Sequence, residues 1–386
     1  MDILLATATD LSAEARTHGH AVLAVPASGA AILVALDGGT PQLAVVSCDP
    51  AVLTATVLSA CDAKGIRVIG LIGSDAHRRH AAVLGLHETV DDSGEWASVE
   101  RAIAGQQREV RPASGRGTVI AVWGPAGAPG RSSIATGIAA ELAATGSSVV
   151  LGDVDTHAAS IAPSLGLLDE APGFAAACRL AGADSLTVTE LERVAQRYES
   201  GHGSFRVLTG LGRPTRWPEL SHERVAATIE ACRGWVDYTV LDTGASLEND
   251  EEISSDLYAP RRNAATITAV READIVVAVA AADPVGLSRF LRAHVELVEL
   301  RDDARIVVVA NKLRATAIGM NPSAQVRQTL SRFGGIELPV LVPYDQSGMD
   351  GALLSARTLA EAAPRSPARV AIQELVRTRL AAVPTR

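Results

Sequence analysis

The chain has few lysines, few aromatic residues and no long apolar runs. Of its 35 basic residues only Lys64 and Lys312 are lysines, and aromatic residues make up 3% of the 386 positions. The longest apolar run, near 275–282, is about one buried strand long, whereas a membrane-spanning helix needs roughly 18 such residues. The N-terminus lacks the basic and apolar segments of a signal peptide. The sequence therefore predicts a cytoplasmic protein.

Cysteine and histidine are sparse and do not form the pattern of a metal or disulfide site. The four cysteines contain no CxxC pair, and the nine histidines include only the short pairs His18/His20 and His77/His80. Zinc sites and disulfide frameworks need regularly spaced ligands or cysteines. We interpret the paired histidines as surface residues.

The charge balance indicates a folded protein that does not coat nucleic acid. The formal net charge is −9, with 47% hydrophobic and 20% charged residues. This composition is too apolar for a disordered chain, and neutralising phosphates would need a basic face. Local basic residues occur at Arg213, Arg216 and Arg261–Arg262, and we interpret them as solvated surface charge. DNA is not an expected partner.

Two α/β regions flank a polar segment rich in Gly, Arg and Pro. Apolar runs at 3–6, 21–25, 43–46, 68–72 and 89–90 alternate with helical patterns and predict a small parallel sheet. We place a domain at 1–105, a linker at 106–117 and a second domain at 118–386. The second domain is predicted to be a doubly wound, mainly parallel sheet of about seven strands, at 119–122, 149–151, 205–207, 238–241, 275–279, 305–309 and 340–342.

The most informative segment joins the first predicted strand of the second domain to an alanine-rich helix. It reads Gly124-Pro-Ala-Gly-Ala-Pro-Gly-Arg-Ser-Ser133. Its glycines allow the backbone to approach an anion closely, and the N–H groups at the helix start would point at that anion. Ser132 and Ser133 add hydroxyl groups there. The segment predicts a phosphate-binding loop.

Polar residues follow three other predicted strands and point to a metal and a base. Asp153 and Asp155 end one strand and, two residues apart, share a face. Asp242 ends another and could hold Mg²⁺ directly or through water near a nucleotide. Asn311 follows a third, and its amide donor and acceptor suit the edge of a nucleobase.

The glycine spacing is also compatible with a dinucleotide site. Gly124, Gly127 and Gly130 have the G-x-x-G-x-x-G spacing of some Rossmann enzymes, and Asp153 follows at about the interval of a ribose ligand. A Tyr-x-x-x-Lys pair is absent from the sequence. An NAD(P)-dependent oxidoreductase is therefore an alternative function, although the sequence lacks the catalytic pair that such an enzyme would use.

Together, these motifs resemble the MinD/ParA class of P-loop ATPases, and most closely its CpaE/TadZ pilus-assembly and actinobacterial septum-site-determining branch. The resemblance covers about 118–344. The segments that carry it are GPAGAPGRSS, VVLGDVDT, LGLLDEAPGFAAACRLA, VDYTVLDTGASL, READIVVAVAAADPVGL, VVVANKLR and LPVLVPYD. It implies a P-loop NTPase domain that binds ATP and Mg²⁺, preceded by a small receiver-like α/β domain.

The resemblance also implies a role for each matching residue. The loop residues expected to bind the nucleotide are Gly124, Gly127, Ala128, Pro129, Gly130, Arg131, Ser132 and Ser133. Of these, residues 127–133 would lie at the β-phosphate. The expected metal residues are Ser132, Asp153 and Asp242. Ser132 would ligate Mg²⁺, Asp242 would bind it through water, and Asp153 would support the switch together with Asp155. Asp155 and Arg131 would be the catalytic residues, with Asp155 positioning water or sensing the γ-phosphate. Asn311 and Pro343 would contact adenine.

Two departures from the family pattern weaken the expected hydrolysis. Ala126 stands where the class has its signature lysine, and Arg131 replaces the ordinary P-loop lysine. The arginine fork is larger and less able to act as a point charge between phosphates. We expect nucleotide binding with weak or absent hydrolysis, or a pseudo-ATPase scaffold without turnover.

The resemblance implies a localisation factor or spatial regulator in pilus assembly or septum placement. Its expected partners are a second copy of the chain and pilus-assembly or cell-division proteins, with peripheral attachment to the membrane or pole. The first domain departs from a working receiver, because Asp49 has no acidic pair after the first strand. The C-terminal helical pattern at 368–382 is interpreted as a packing helix rather than a membrane-surface helix.

Overall fold

A computed structural model of the chain describes residues 2–7, 11–39, 41–84, 86, 88–92, 94–107, 116–127, 129–168, 171–248, 261–301 and 305–381. The chain divides into two units, Met1–Glu109 and Val110–Arg386. This division lies inside segment 106–117. Residues 108–115 of that segment are outside the described residues, so the linker stays a prediction.

The first unit is a five-stranded parallel sheet with the order β2-β1-β3-β4-β5. This order is the flavodoxin-like one among doubly wound folds. Helices cover both faces, because the central strands are apolar on both sides. Its strands are β1 Asp2–Ala6, β2 Ala21–Ala24, β3 Leu43–Ser47, β4 Arg67–Ile72 and β5 Thr89–Asp91, and its helices are α1 Ser12–Thr17, α2 Gly29–Gly38, α3 Ala55–Ala63, α4 Asp75–Val83 and α5 Trp96–Gln107.

One prediction for this unit was wrong. The His20 side chain is only 9% exposed, and its Nε2 lies 3.1 Å from a carboxylate oxygen of Glu100. Its ring also packs on Trp96, with 5.4 Å between the ring centroids. His20 is therefore a packed residue of this unit rather than a surface residue, whereas His18 is exposed.

The second unit contains an eight-stranded sheet with the order β13-β12-β11-β6-β10-β7-β9-β8. Every strand pair is parallel except β8 with β9. The strands are β6 Thr118–Trp123, β7 Val149–Asp153, β8 Gln196–Ser200, β9 Gly203–Leu208, β10 Tyr238–Asp242, β11 Ile275–Ala281, β12 Arg305–Leu313 and β13 Val340–Pro343. The seven predicted strands are present, and the antiparallel edge strand β8 is an addition.

Helices pack on both faces of this sheet. They are α6 Arg131–Ala144, α7 Ile161–Ser164, α8 Gly173–Ala181, α9 Val188–Val194, α10 His222–Arg233, α11 Ala264–Glu272, α12 Pro284–Leu300, α13 Ala315–Ile318, α14 Pro322–Gly334, α15 Gln346–Leu354, α16 Leu359–Ala362 and α17 Pro367–Leu375. A 3₁₀ segment spans Pro214–Glu219, and a π turn, Val376–Leu380, follows α17. One core cluster lies on each face. The predicted α/β class, a doubly wound and mainly parallel sheet, is confirmed.

The C-terminal helix is part of the core. Ile372 and Leu375 of α17 are buried in the same cluster as Ile138 of α6. Arg369 also forms an ion pair of 2.7 Å with Glu141, whose side chain is 4% exposed. The predicted packing role of this helix is confirmed. Within the described ranges, none of the helices has the length and apolar character needed to cross a membrane.

The order of the central strands positions the candidate site. Strand β6 lies between β10 and β11. After β6 the chain passes through α6 to β7, on the β10 side of the sheet, and it later adds β11, β12 and β13 on the opposite side. In open α/β sheets, ligands bind at the carboxyl ends of the strands where the order reverses in this way. The segments after β6, β7, β10 and β12 all meet at that edge.

Candidate functional site

The predicted phosphate loop connects β6 to α6. Gly124 has no room for a side chain, because a Cβ there would lie 2.3 Å from the Val279 carbonyl oxygen. Gly130 is the N-cap of α6 in a left-handed conformation, with φ of 98°, and no side chain caps the helix. Uncapped N–H groups and the positive end of the helix dipole are chemically suited to an anion. Ala128 lies outside the described residues.

Arg131 begins α6, and its side chain folds back over the loop. Its Nη1 donates to the carbonyl oxygens of Gly124 and Pro125, at 3.1 and 3.4 Å, and its Nε donates to Thr243 O at 2.9 Å. Its Nη2 lies 3.3 Å from Oδ2 of Asp155. The two predicted catalytic residues are thus brought together as an ion pair that is largely shielded from water.

Asp242 carries a buried carboxylate with an unpartnered oxygen. Its Oδ1 has no hydrogen-bond partner among the described residues, and the residue is 1% exposed. Burial, followed by repulsion from Asp153, raises the pKa of Asp242 well above its usual range. The Ser132 side chain lies near this carboxylate and counteracts part of that rise in its pKa. A hydroxyl beside an unsatisfied carboxylate oxygen is a donor set that fits Mg²⁺.

Asp153 is adjacent to Asp242 in the sheet, but its oxygens are already used. The two residues are register partners across β7 and β10. Asp153 accepts from the backbone N–H groups of Asp155, Ser160 and Ile161 at 2.9 to 3.2 Å. Burial is the main cause that raises its pKa. Asp153 therefore braces the turn after β7, and Asp242 has the oxygen free for a metal.

Asn311 ties the end of β12 to the phosphate loop. Its Nδ2 donates to Pro129 O at 2.8 Å, and its Oδ1 accepts from the N–H of Lys312 at 2.8 Å. The residue is 4% exposed. The predicted adenine contact, Asn311, thus lies against the loop, with Pro343 at the end of the neighbouring strand β13.

Three residues beside Asn311 were not found by sequence reasoning. Lys312 adopts a left-handed φ of 61°, which strains a non-glycine residue, at the irregular end of β12. The Arg314 guanidinium lies 4.9 Å from the centroid of the Tyr344 ring, which is 44% exposed. The rarity of lysine in the chain and the position of Lys312 directly after Asn311 were the available signals.

These elements enclose a cleft of about 520 Å³. That volume falls within the range of small-molecule sites, roughly 300–1,000 Å³. Its lining residues are Pro129, Gly130, Arg131, Ser132, Ser133, Asp155, Ala158, Ser160, Asn311, Lys312, Pro343, Tyr344, Asp345, Gln346, Met349 and Asp350. Most predicted site residues thus share one cleft. Asp242 is not among these lining residues, and it is buried near Ser132, which is one of them.

No model of a known protein family matches the sequence, and no curated protein matches it. Solved structures do match. A ParA family ATPase from Chlorobium tepidum TLS is 18% identical, with 68% of this chain and 99% of that chain covered and a TM-score of 0.55. The septum site-determining protein MinD complexed with Mg-ADP, from Pyrococcus horikoshii OT3, is 15% identical, with coverage of 67% and 93% and a TM-score of 0.52.

A third similar structure is the MinC:MinD cell division protein complex of Aquifex aeolicus. Its matching chain is 16% identical, with 70% of this chain and 98% of that chain covered and a TM-score of 0.50. Each match covers far more of the chain than the first unit contains. At these identities the likeness concerns the fold. The second unit therefore has the fold that the ParA and MinD ATPases share.

Proposed function

We propose that the cleft of the second unit binds ATP together with Mg²⁺. The observation that carries this proposal is the unpartnered, buried Oδ1 of Asp242 next to the Ser132 hydroxyl at the uncapped start of α6. A buried polar atom without a partner is costly unless a ligand satisfies it. The structural likeness to MinD complexed with Mg-ADP supports the same ligand class.

Each part of the nucleotide has a matching part of the cleft. The backbone N–H groups of Gly127, Gly130, Arg131, Ser132 and Ser133 would hold the β-phosphate region. Ser132 and Asp242 would hold Mg²⁺, which usually takes one or two protein oxygens besides phosphate and water. Bound there, the metal would neutralise phosphate charge. Asn311 and Pro343 would contact adenine at the other side of the cleft.

The dinucleotide alternative fits the structure less well. A ribose-binding aspartate must offer its carboxylate to the ligand. Asp153, the residue at that position, is 1% exposed and accepts three backbone hydrogen bonds within its own turn. We therefore favour ATP over NAD(P).

We propose that turnover of the bound nucleotide is weak or absent. Arg131 donates to loop carbonyls and pairs with Asp155, so neither side chain is poised toward a phosphate or a water. Charge stabilisation in the transition state requires donors that are already aimed at the developing charge. A pseudo-ATPase scaffold is the limiting case, in which binding persists and phosphate release is zero.

At the cellular level we propose a ParA/MinD-like spatial regulator or localisation factor. Its process would be pilus assembly or septum placement, and its partners a second copy of the chain and components of that machinery at the membrane or pole. The MinC:MinD complex among similar structures supports a protein partner of this kind. The first unit, with its flavodoxin-like strand order, would act as a degenerate receiver-like domain rather than a phosphotransfer domain.

Calorimetric titration of the full chain with ATP, with Mg²⁺ and then with EDTA, tests the binding proposal. We expect saturable binding that Mg²⁺ strengthens, and Asp242→Asn or Ser132→Ala should remove most of the Mg²⁺ effect. Ser355→Ala is the matched control, because Ser355 bonds only within its own helix end. A Mg²⁺ effect that survives in both variants would contradict the metal assignment.

A further inference from the structure

An arginine from another element lies against the phosphate loop. Nη1 of Arg289, on α12, is 2.5 Å from the position that a Cβ on Gly127 would take. Gly127 has φ of 111°, so glycine both permits this backbone and leaves the space that the guanidinium fills. Among the described residues, no hydrogen bond or ion pair occupies the Arg289 side chain.

The first turns of α12 fix where Arg289 begins. Asp283 caps the helix by accepting from the N–H of Gly286 at 2.8 Å, and Pro284 occupies its first turn. Gly286 packs so closely on β11 that a Cβ would lie 2.5 Å from Ala281 O. Phe290, the next residue after Arg289, is fully buried. The guanidinium is therefore presented to the loop from a rigid base.

The phosphate loop itself supplies little positive charge for a nucleotide. Each phosphate of a nucleotide adds negative charge, whereas Arg131 already donates to three carbonyl oxygens and to Asp155. Ala126 contributes only a methyl group to this part of the loop. Ala126, Gly127 and Arg289 line a small cavity of about 60 Å³ that shares Pro129 with the main cleft.

The position of Arg289 along the loop indicates which phosphate it would meet. Asn311, at the base-binding side of the cleft, contacts the loop at Gly130, since its Nδ2 lies 2.5 Å from a Cβ position there. Arg289 contacts the loop at Gly127, beyond Pro129. A nucleotide whose base lies by Asn311 extends its phosphates away from the base, so the terminal phosphate is the one nearest Gly127.

We propose that Arg289 binds the terminal phosphate of the nucleotide and makes the site prefer a triphosphate over a diphosphate. This assignment rests on the proposed function, because it requires a nucleotide in the cleft. Arg289 is a specificity-determining residue here. It supplies in the same chain a cation that the loop sequence lacks, through charge-assisted hydrogen bonds from a planar fork.

The test compares the affinities of AMPPNP and ADP, each with Mg²⁺, for the full chain and its variants by calorimetric titration. Arg289→Ala should weaken AMPPNP binding by about tenfold and ADP binding by less than about threefold, since only one ligand carries the terminal phosphate. Arg289→Lys should recover part of the loss. Arg292→Ala, one turn further along α12 and bonded to Ser288, should change neither affinity.

The outcomes separate this assignment from the proposed function. If the wild-type chain binds AMPPNP but Arg289→Ala changes both affinities equally, or neither, the assignment is overturned and the nucleotide site stands. If the wild-type chain binds neither nucleotide, the proposed function fails and the assignment fails with it. The unfolding midpoints of the two alanine variants test whether the fold is unchanged. We expect both midpoints to equal that of the wild-type chain, because both side chains are exposed.

Discussion

Arg131 and Asp155 form an ion pair across the phosphate loop, with 3.3 Å between Nη2 and Oδ2. Their side chains are 15% and 6% exposed, so water screens the pair little. The pair joins the start of α6 to the turn after β7. A bound phosphate would have to compete with Asp155 for the Arg131 guanidinium. Because Asp155 holds this guanidinium, it is not aimed at the charge that develops during hydrolysis. We therefore propose that the site binds nucleotide with little turnover.

Restoring the two lysines of the loop, at Ala126 and Arg131, should increase ATP hydrolysis. The double variant Ala126→Lys with Arg131→Lys places two compact charges where the loop has a methyl group and a tied fork. We expect phosphate release from ATP–Mg²⁺ to rise at least tenfold, because a single well-placed donor is worth on the order of 10²–10³ in rate. A coupled phosphate-release assay measures it.

Adding Asp155→Asn to that double variant is the control, and it should remove the gain. If the double variant binds ATP as the wild-type chain does but releases no more phosphate, the ion pair is not what limits hydrolysis. The site would then also lack catalytic groups outside the loop.

Gly130 should tolerate no side chain. Gly130→Ala must adopt a φ of 98° and place its Cβ 2.5 Å from Asn311 Nδ2, so we expect at least a tenfold loss of ATP affinity and a lower free energy of unfolding. The left-handed backbone alone costs about 1–2 kcal/mol. Urea denaturation and nucleotide titration measure the two effects.

Gly335→Ala is the matched control for that variant. Gly335 also has a left-handed φ, of 65°, but a Cβ there would meet nothing within 4 Å. It should lose stability by about 1 kcal/mol and keep its ATP affinity. Equal loss of affinity in both variants would show that the contact with Asn311 has no part in binding.

Asp274 should make the stability of the second unit depend on pH. Although burial acts to raise it, hydrogen bonds from Arg233 and from the Val119 N–H lower the pKa of Asp274 below its usual value. A carboxylate with a lowered pKa in the folded state stabilises the fold above its unfolded pKa and stops doing so as the pH falls through the folded value. The effect therefore operates at neutral pH and fades in acid.

We expect Asp274→Asn to lower the free energy of unfolding by about 1 kcal/mol at pH 7, a modest figure because the carboxylate is half exposed. The difference from wild type should shrink below about pH 4. Glu230→Gln, which removes an exposed partner of the same Arg233, should cost less than about 0.5 kcal/mol. A difference for Asp274→Asn that is constant with pH would contradict the assignment.

The ion pair between Arg369 and the buried Glu141 should contribute to the packing of the C-terminal helix. Arg369→Ala leaves Glu141, 4% exposed, without its cation, and breaking a buried pair in this way costs about 3–5 kcal/mol. Arg377→Ala, eight residues on, breaks an exposed pair with Glu374 and should leave the free energy of unfolding nearly unchanged. Similar losses in the two variants, measured by urea denaturation, would argue against a packed helix.

Sequence reasoning predicted the strands of both sheets well, because buried parallel strands are continuous apolar runs. It missed β8 for the same physical reason. In Gln196–Ser200 only Tyr198 is buried, and the other residues are polar, so the edge strand has no apolar signal. Its pairing with β9 is antiparallel, which a short hairpin provides without a crossover.

For the site, sequence alone determined the glycine-rich loop, its helix and the carboxylates at the strand ends, because these depend on local backbone and periodicity. Only the tertiary structure decided which groups are free. Strand order places Asp242 beside Asp153, and local turn bonds then occupy Asp153 and leave Asp242 unpartnered. Arg289 reaches the loop from 162 positions after Gly127 in the chain. Contacts between residues so distant in sequence follow from packing, which no local pattern encodes.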